Sequence, residues 1–171
     1  MQIDKHSYLW NYLSQGQKDL LTQGEYLINE VIGKGTYSFH DYSFLVFPFA
    51  KAYEGFLKQL FLDVKFISRL DYISNHFRLG KVLSPNMIRK LGDRSVYQKI
   101  VDESGRDLAD DIWSMWKIGR NQVFHYFPHN VKSISFEEAQ SISEKMIQTM
   151  ENAAVKLKED SVKSKLQQLG A

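Results

Sequence analysis

The sequence predicts an all-α protein. Apolar residues recur at helical spacing along almost all of its 171 residues, and only three prolines interrupt the pattern. Two capping boxes, in which a serine precedes a glutamine or glutamate by three positions, stand where helices should begin. These are Ser14 with Gln17 and Ser135 with Glu138. We therefore expect helices joined by short loops.

The first two helices should be long. The first capping box predicts a helix to about Ile32, where two glycines supply stop signals, Gly33 and Gly35. Asp41 can cap a second helix through Leu62, in which Pro48 either introduces a kink or occupies the first turn. The core candidates of this helix are its large apolar side chains, Phe44, Phe47, Tyr53, Phe56, Leu60 and Phe61. The stretch 65–83 is less regular and should hold a short helix among loops.

Two shorter helices follow. The pair Ser84–Pro85 signals the cap and first turn of a helix that runs to Leu91. The next helix opens at Asp93 or Ser95 and ends before Gly105. Both are bounded by a glycine, which commonly follows the last residue of a helix.

Two long helices complete the predicted fold. Asp107 begins the first of them and Pro128 ends it, because proline cannot continue a helix. The second capping box begins a helix from Phe136 to about Lys158. The length of the chain suits one well-buried domain, which we expect over residues 1–160. Residues 161–171 then form a polar tail that can fray.

Composition excludes several classes of protein. The chain has no cysteine, which rules out disulfides, thiolate metal sites and cysteine nucleophiles. The most apolar segment, 44–62, carries charged residues at helical spacing, so we expect no membrane span. The N-terminus lacks the pattern of a signal peptide, and we expect a cytoplasmic protein. A net charge of +2 is too small to indicate nucleic-acid binding, which would need a local basic patch.

The helix that begins at Asp107 carries the most informative motif, Arg120-Asn121-Gln122-Val123-Phe124-His125. Arginine stays charged at physiological pH and can neutralise phosphate, whereas histidine exchanges protons near neutrality. Asn121 lies one turn before His125 and could hydrogen-bond the imidazole or a phosphate oxygen. A metal-free ribonuclease needs these two functions, and we expect no cofactor.

A helical wheel at about 100° per residue separates this motif from the core. The core-facing stripe is Leu108, Ile112, Met115, Trp116, Gly119 and Val123, with Gly119 allowing close approach of a neighbouring helix. Arg120 and His125 fall on opposite sides of that stripe. The arc between them holds an unusual mixture for a solvated face: Trp113, Lys117, Phe124 and Phe127. This helix is either buried on both sides within one chain or covered by a partner chain, such as a second copy.

The spacing of the arginine and histidine has little specificity by itself. A second pair, Arg69 and His76, has a similar spacing but lies in the irregular region and has no asparagine after its arginine. We interpret that second pair as coincidental. The position of the first pair, late in an aromatic amphipathic helix, gives it more weight.

The motif resembles the R-N-x-x-x-H form of the Rx4–6H motif that marks HEPN-domain ribonucleases. Within that superfamily the chain is most similar to the HEPN domain of the RnlA/LsoA (RNase LS) toxins. The segment Phe47-Pro48-Phe49-Ala50-Lys51-Ala52-Tyr53-Glu54-Gly55-Phe56-Leu57-Lys58 also resembles a characteristic helix of that family. Those toxins carry further N-terminal domains without a counterpart in this sequence.

The resemblance implies a HEPN-like helical bundle with two long antiparallel core helices, shorter helices and a dimer. It implies catalytic roles for Arg120, His125 and Glu54, with Asn121 as an auxiliary residue. Lys58 and Lys117 could then bind the RNA backbone. The implied activity is metal-independent endoribonuclease action at a dimer interface, in a toxin of a toxin–antitoxin or phage-defence system. A cognate antitoxin is an implied partner.

Other interpretations of these residues stay open. Glu54 could simply form a solvated ion-pair row with Lys51 and Lys58. His125 could be a helix-end histidine favoured by the helix dipole. The whole chain could accordingly be a non-catalytic HEPN module for binding or dimerisation, or bind a nucleotide at the same cationic cleft.

Overall fold

The computed structural model describes residues 1–125 and 128–169, excluding the side chains of residues 121, 122 and 159–169. This part of the chain is helical and contains no strand, which confirms the all-α prediction. The α-helices are α1 (Tyr8–Tyr12), α2 (Gln15–Tyr26), α3 (Ser43–Asp63), α4 (Arg69–Ile73), α5 (Leu79–Val82), α6 (Ile88–Leu91), α7 (Val96–Ser104), α8 (Arg106–Trp116) and α9 (Phe136–Leu169). π-helical segments continue α2 and α8, at Leu27–Ile32 and Lys117–Gln122. Short 3₁₀ turns occur at Pro85–Met87, Gly92–Arg94 and Pro128–Asn130.

Both capping boxes are present. The Ser14 hydroxyl accepts the N–H of Gln17 while the Gln17 side chain accepts the N–H of Ser14. The same reciprocal pair joins Ser135 and Glu138, at 3.1 and 2.7 Å. These bonds satisfy N–H groups that the first turn of a helix leaves without partners. Ser95, and not Asp93, caps α7 through the N–H of Gln98.

Some predicted boundaries differ from the structure. The irregular stretch holds two short helices, α4 and α5, where one was expected. The side chain of Ser84 makes no capping bond, and the turn after it is 3₁₀ before α6 begins. The last helix continues beyond Lys158 to Leu169. No helix in the described part of the chain is long and apolar enough to cross a membrane.

The predicted core face of α3 is correct for its middle and end and wrong for its beginning. Tyr53, Phe56, Leu60 and Phe61 are buried, but Phe44 and Phe47 are 42% and 54% exposed. Their positions explain the difference, because Phe44 and Phe47 share the helix face that carries Lys51, Glu54 and Lys58. Pro48 lies inside α3 and not in its first turn.

Helices α3 and α8 run antiparallel. The Tyr53 hydroxyl donates to the carbonyl of Ile112 at 3.0 Å, near the middle of α8. Earlier in α3, the ring of Phe47 meets that of Phe124, which lies beyond the end of α8, with centroids 5.8 Å apart. These contacts place α3 antiparallel to α8, although α3 packs mainly against α2 and α9.

The two longest helices, α3 and α9, run parallel to each other. Near their starts the rings of Tyr42 and Phe136 are in contact at 5.7 Å. Towards the end of α3, Asp63 pairs with Lys158 of α9 at 3.8 Å. α9 packs against both α3 and α8 and covers the core on that side.

The predicted core stripe is confirmed through Gly119, and its last member, Val123, is partly buried. Leu108, Ile112, Met115 and Trp116 are buried. Gly119, just beyond the α-helical part, is also buried, and a Cβ atom there would lie 1.7 Å from the Met146 methyl of α9. The space that Gly119 leaves open is therefore filled by the end of the Met146 side chain.

Asp41, just before α3, forms hydrogen bonds with the start of α3 and with the segment that follows the motif. Its carboxylate accepts the N–H of Ser43, the side-chain amide of Asn130 at 3.0 Å and the N–H of Ile134 at 3.4 Å. Desolvation of the carboxyl opposes its ionisation, but the hydrogen bonds from Ser43, Asn130 and Ile134 outweigh it. They hold the pKa of Asp41 below its ordinary value.

We expect Asp41→Asn to lower the thermal unfolding midpoint at pH 7, because one carboxylate oxygen becomes an amide that cannot accept the Asn130 bond. A lost hydrogen bond of this kind costs about 1 kcal/mol. The folded-state pKa is the lower one, so the carboxylate stabilises the protein above its unfolded-state pKa of about 3.9. That contribution disappears as the pH falls through the folded-state pKa. Thermal unfolding of the wild type and of Asp41→Asn from pH 7 to pH 3 measures the difference between their unfolding midpoints. That difference should narrow below about pH 4. A constant difference across this range would contradict the role of the charge.

Candidate active site

The motif lies on a π-helical segment and the turn after it, and not on a continuous α-helix. From Lys117 to Gln122 the backbone bonds are of the π type, between residues five apart, and the chain then turns through Val123 and Phe124. The predicted α-helix to Pro128 is therefore wrong beyond Trp116. The wider π turn rotates the side chains that follow it relative to an α-helix, although Gly119 is buried and Val123 partly buried, as the helical wheel predicts.

Arg120 is held by Glu54 of α3. The Arg120 Nε donates to the Glu54 carboxylate at 3.1 Å, and the second carboxylate oxygen pairs with the Lys58 ammonium at 3.0 Å. The guanidinium also lies 5.3 Å from the centre of the Trp116 ring, a cation–π distance. Half of the Arg120 side chain stays exposed. The guanidinium thus has a defined position and open N–H donors for an anion.

Arg120 and His125 share one open cleft. This aromatic cleft, as we call it, has a volume of about 570 Å³ and is lined by Phe47, Ala50, Lys51, Glu54, Arg120, Phe124 and His125. The side chains of Phe124 and His125 are exposed, so solvent reaches the cleft. A phosphate against Arg120 would therefore lie in the same space as an imidazole able to exchange a proton.

The remaining predicted residues are placed differently. Lys58 bonds to Glu54 but does not line the aromatic cleft. Lys117 is exposed and also does not line it. The side chain of Asn121 and the whole of Phe127 lie outside the described residues.

The sequence predicts a core position for Phe47 and an ion-pair row for Lys51, yet both side chains line the aromatic cleft. A signal for them existed, because Phe47, Lys51 and Glu54 follow each other at spacings of four and three on α3. That row presents one face to Arg120 and His125. The alternative role of Glu54 in an ion-pair row is partly realised too, since Glu54 pairs with Lys58 as well as with Arg120.

The second arginine–histidine pair does not form such a site. Arg69 lies on α4 and lines a separate cleft, together with Lys65, Arg94 and Lys99. His76 follows α4 in a turn and lines neither that cleft nor the aromatic cleft. Within residues 1–125 and 128–169, no group of three or more acidic or histidine side chains is arranged to hold a metal ion.

Searches of known protein families, curated proteins and solved structures find no match to this chain. The geometry of the aromatic cleft and the residue motifs are therefore the grounds on which function is inferred.

The absence of a side chain at Gly80 of α5 leaves room for the Trp116 ring, which supports the Arg120 guanidinium. A Cβ atom at Gly80 would lie 2.7 Å from the indole Nε1 of Trp116 and 3.3 Å from the next ring carbon. Trp116 is 4% exposed, so its rigid ring has little room to move. The indole is therefore packed against α5 while the guanidinium of Arg120 lies over its ring.

We expect Gly80→Ala to destabilise the fold by about 1–3 kcal/mol, the usual cost of overpacking. Gly16→Ala is the matched control, because Gly16 is also helical and a Cβ there would meet nothing within 4 Å. That substitution should stabilise the protein by up to about 1 kcal/mol, since alanine favours helix more than glycine does. Chemical denaturation of both variants measures the two effects. Changes in stability of equal size and the same sign in the two variants would contradict the close contact between Gly80 and Trp116.

Proposed function

We propose that this protein is a metal-independent endoribonuclease of the HEPN type, which cleaves RNA through the substrate's own 2′-hydroxyl. The observation that carries the proposal is the aromatic cleft, where Arg120, His125 and Glu54 line one open space. The resemblance of the two motifs to HEPN ribonucleases also supports it, because Glu54 of one motif and Arg120 and His125 of the other line the same cleft.

In the proposed reaction, His125 removes the proton from the 2′-hydroxyl, and the 2′-oxygen attacks the adjacent phosphorus. The bond from phosphorus to the 5′-oxygen breaks, and that oxygen takes a proton from a protonated histidine. The products are a 2′,3′-cyclic phosphate and a 5′-hydroxyl. Arg120 neutralises the charge that builds on the non-bridging oxygens, a task suited to its remaining N–H donors. Glu54 holds Arg120 in place.

A homodimer would complete the site. Phe47 and Phe124 are 54% and 41% exposed beside the catalytic pair, and large exposed apolar side chains at one place are typical of an interface. In a symmetric dimer the His125 of one copy could act as the base and that of the other as the acid. The proposed biological role is a toxin or phage-defence effector in the cytoplasm, restrained by an antitoxin.

Cleavage of RNA should depend on both members of the pair. His125→Ala should lower the rate at least about 100-fold, the usual effect of losing a general acid or base. Arg120→Ala should have an effect of about the same size, because it removes charge stabilisation from the transition state. Activity should survive a chelator, the new ends should be a cyclic phosphate and a 5′-hydroxyl, and DNA of the same sequence should stay intact. Electrophoresis of end-labelled RNA measures all of these.

The chain supplies a matched control for this test. Arg69→Ala and His76→Ala remove the same side-chain types from the pair that shares no cleft, and they should leave the rate within about twofold, as surface substitutions usually do. Cleavage that requires a divalent metal would overturn the mechanism. Equal losses of rate from the two pairs would overturn the assignment of the site.

A second candidate function is a non-catalytic dimerisation or binding module, which the exposed Phe47 and Phe124 favour equally. The observation that distinguishes the two functions is an intact dimer that does not cut RNA in any form of the protein. In that case the module is the better description.

The double variant Phe47→Ser/Phe124→Ser should weaken the dimer at least about tenfold, since buried aromatic anchors contribute most of the binding energy of an interface. Tyr8→Ser/Tyr26→Ser is the matched control, because these aromatic side chains are 53% and 60% exposed and do not line the aromatic cleft. Sedimentation equilibrium over a range of concentrations measures the dissociation constants. A wild-type protein that stays monomeric throughout would contradict the dimer.

A further inference from the structure

A second cleft adjoins the aromatic cleft on the other side of the Arg120–Glu54 pair. This polar cleft, as we call it, has a volume of about 470 Å³. Lys58 and Glu54 of α3 form one wall, with Trp116 and Arg120 beside them. The opposite wall is formed by the connection from α4 to α5, with Ser74, Asn75 and Arg78, and by α5 itself, with Lys81.

The polar cleft concentrates positive charge. Four cations line it, Lys58, Arg78, Lys81 and Arg120, against a single carboxylate, Glu54. Its lining therefore carries a net charge of +3, more than the +2 of the entire chain. Both oxygens of that carboxylate already pair with Lys58 and Arg120. An anion that enters would meet the cations of the opposite wall without an unpaired carboxylate beside them.

The cations of the opposite wall have a defined place. Arg78 stands at the start of α5, and one of its terminal nitrogens donates to the carbonyl of Asn75 at 2.8 Å. Arg78 and Lys81 are both exposed. The packing of Gly80 against Trp116 holds α5 next to the residue that supports Arg120. The second cationic wall is thus fixed to the candidate active site through packed side chains.

We infer that the polar cleft binds RNA phosphates that flank the cleaved linkage, with Arg78 and Lys81 as substrate-binding residues. The inference rests on the proposed function. The two clefts share Arg120 and Glu54, so a strand whose scissile phosphate contacts Arg120 can continue from one cleft into the other. The polar cleft then offers cations to the backbone phosphates next to the one that Arg120 contacts.

The test is a charge reversal on the wall of the polar cleft. Arg78→Glu/Lys81→Glu should weaken binding of a short single-stranded RNA at least about tenfold at physiological salt. It should also reduce the salt dependence of binding, by about 0.7 in the logarithmic slope for each phosphate that the variant no longer neutralises. Fluorescence anisotropy with a labelled 2′-O-methyl RNA measures both quantities on the intact protein, since that strand cannot be cut by 2′-hydroxyl attack.

The matched control is Arg89→Glu/Lys90→Glu. It makes the same two substitutions at positions of the neighbouring helix α6 that line neither cleft. We expect affinity within about twofold of wild type, because long-range charge is screened over about 10 Å in salt. Thermal unfolding of all three proteins verifies that the variants are folded. An equal loss of affinity in both double variants, or unchanged affinity in the first, would overturn the inference.

Failure of the inference can be told apart from failure of the proposed function. Cleavage of unmodified RNA that depends on Arg120 and His125 but not on Arg78 and Lys81, with unchanged binding, would leave the ribonuclease standing and remove the polar cleft from it. Binding that depends on Arg78 and Lys81 in a protein that never cuts RNA would support the phosphate site and reject the catalytic proposal.

Discussion

A buried hydrogen bond between Tyr53 and Ile112 joins the two helices around which the site is built. The Tyr53 side chain is 1% exposed, and its hydroxyl donates to a carbonyl of α8. Burial, with repulsion from Asp111, raises the pKa of this hydroxyl well above its ordinary value, so it stays a donor. Because the bond sets how α3 faces α8, the next residue, Glu54, lies within reach of Arg120.

The antiparallel course of α3 and α8 has a second effect. It places the early part of α3 opposite the segment beyond α8, so that Phe47 meets Phe124 while Glu54 meets Arg120. The face of α3 that points away from the core is therefore the wall of two adjoining clefts. The ion pair between Glu54 and Arg120 marks the boundary where the aromatic cleft changes to the polar cleft.

Local signals in the sequence predicted local structure well. The capping boxes at Ser14 and Ser135 depend on side chains three residues apart, and both are present. Burial of single residues was harder to predict. Phe44 and Phe47 are as apolar as Phe56, and their exposure shows only in the helix face that they share with Lys51, Glu54 and Lys58.

The candidate site was predicted in part for the same reason. Arg120, His125 and Glu54 could be named from motifs, but the change to π-type bonding at Lys117 depends on surroundings that periodicity does not encode. The polar cleft had no sequence signal beyond Lys58, because Arg78 just before α5 and Lys81 within it line the same cleft as Arg120 only through tertiary packing.

The methyl group of Met146 occupies the space where a side chain at position 119 would be. Volume at these two positions is therefore shared between α9 and the segment that carries Arg120. Because a methionine side chain is unbranched and flexible, Met146 acts as an adjustable filler between the last helix and the segment that carries the guanidinium.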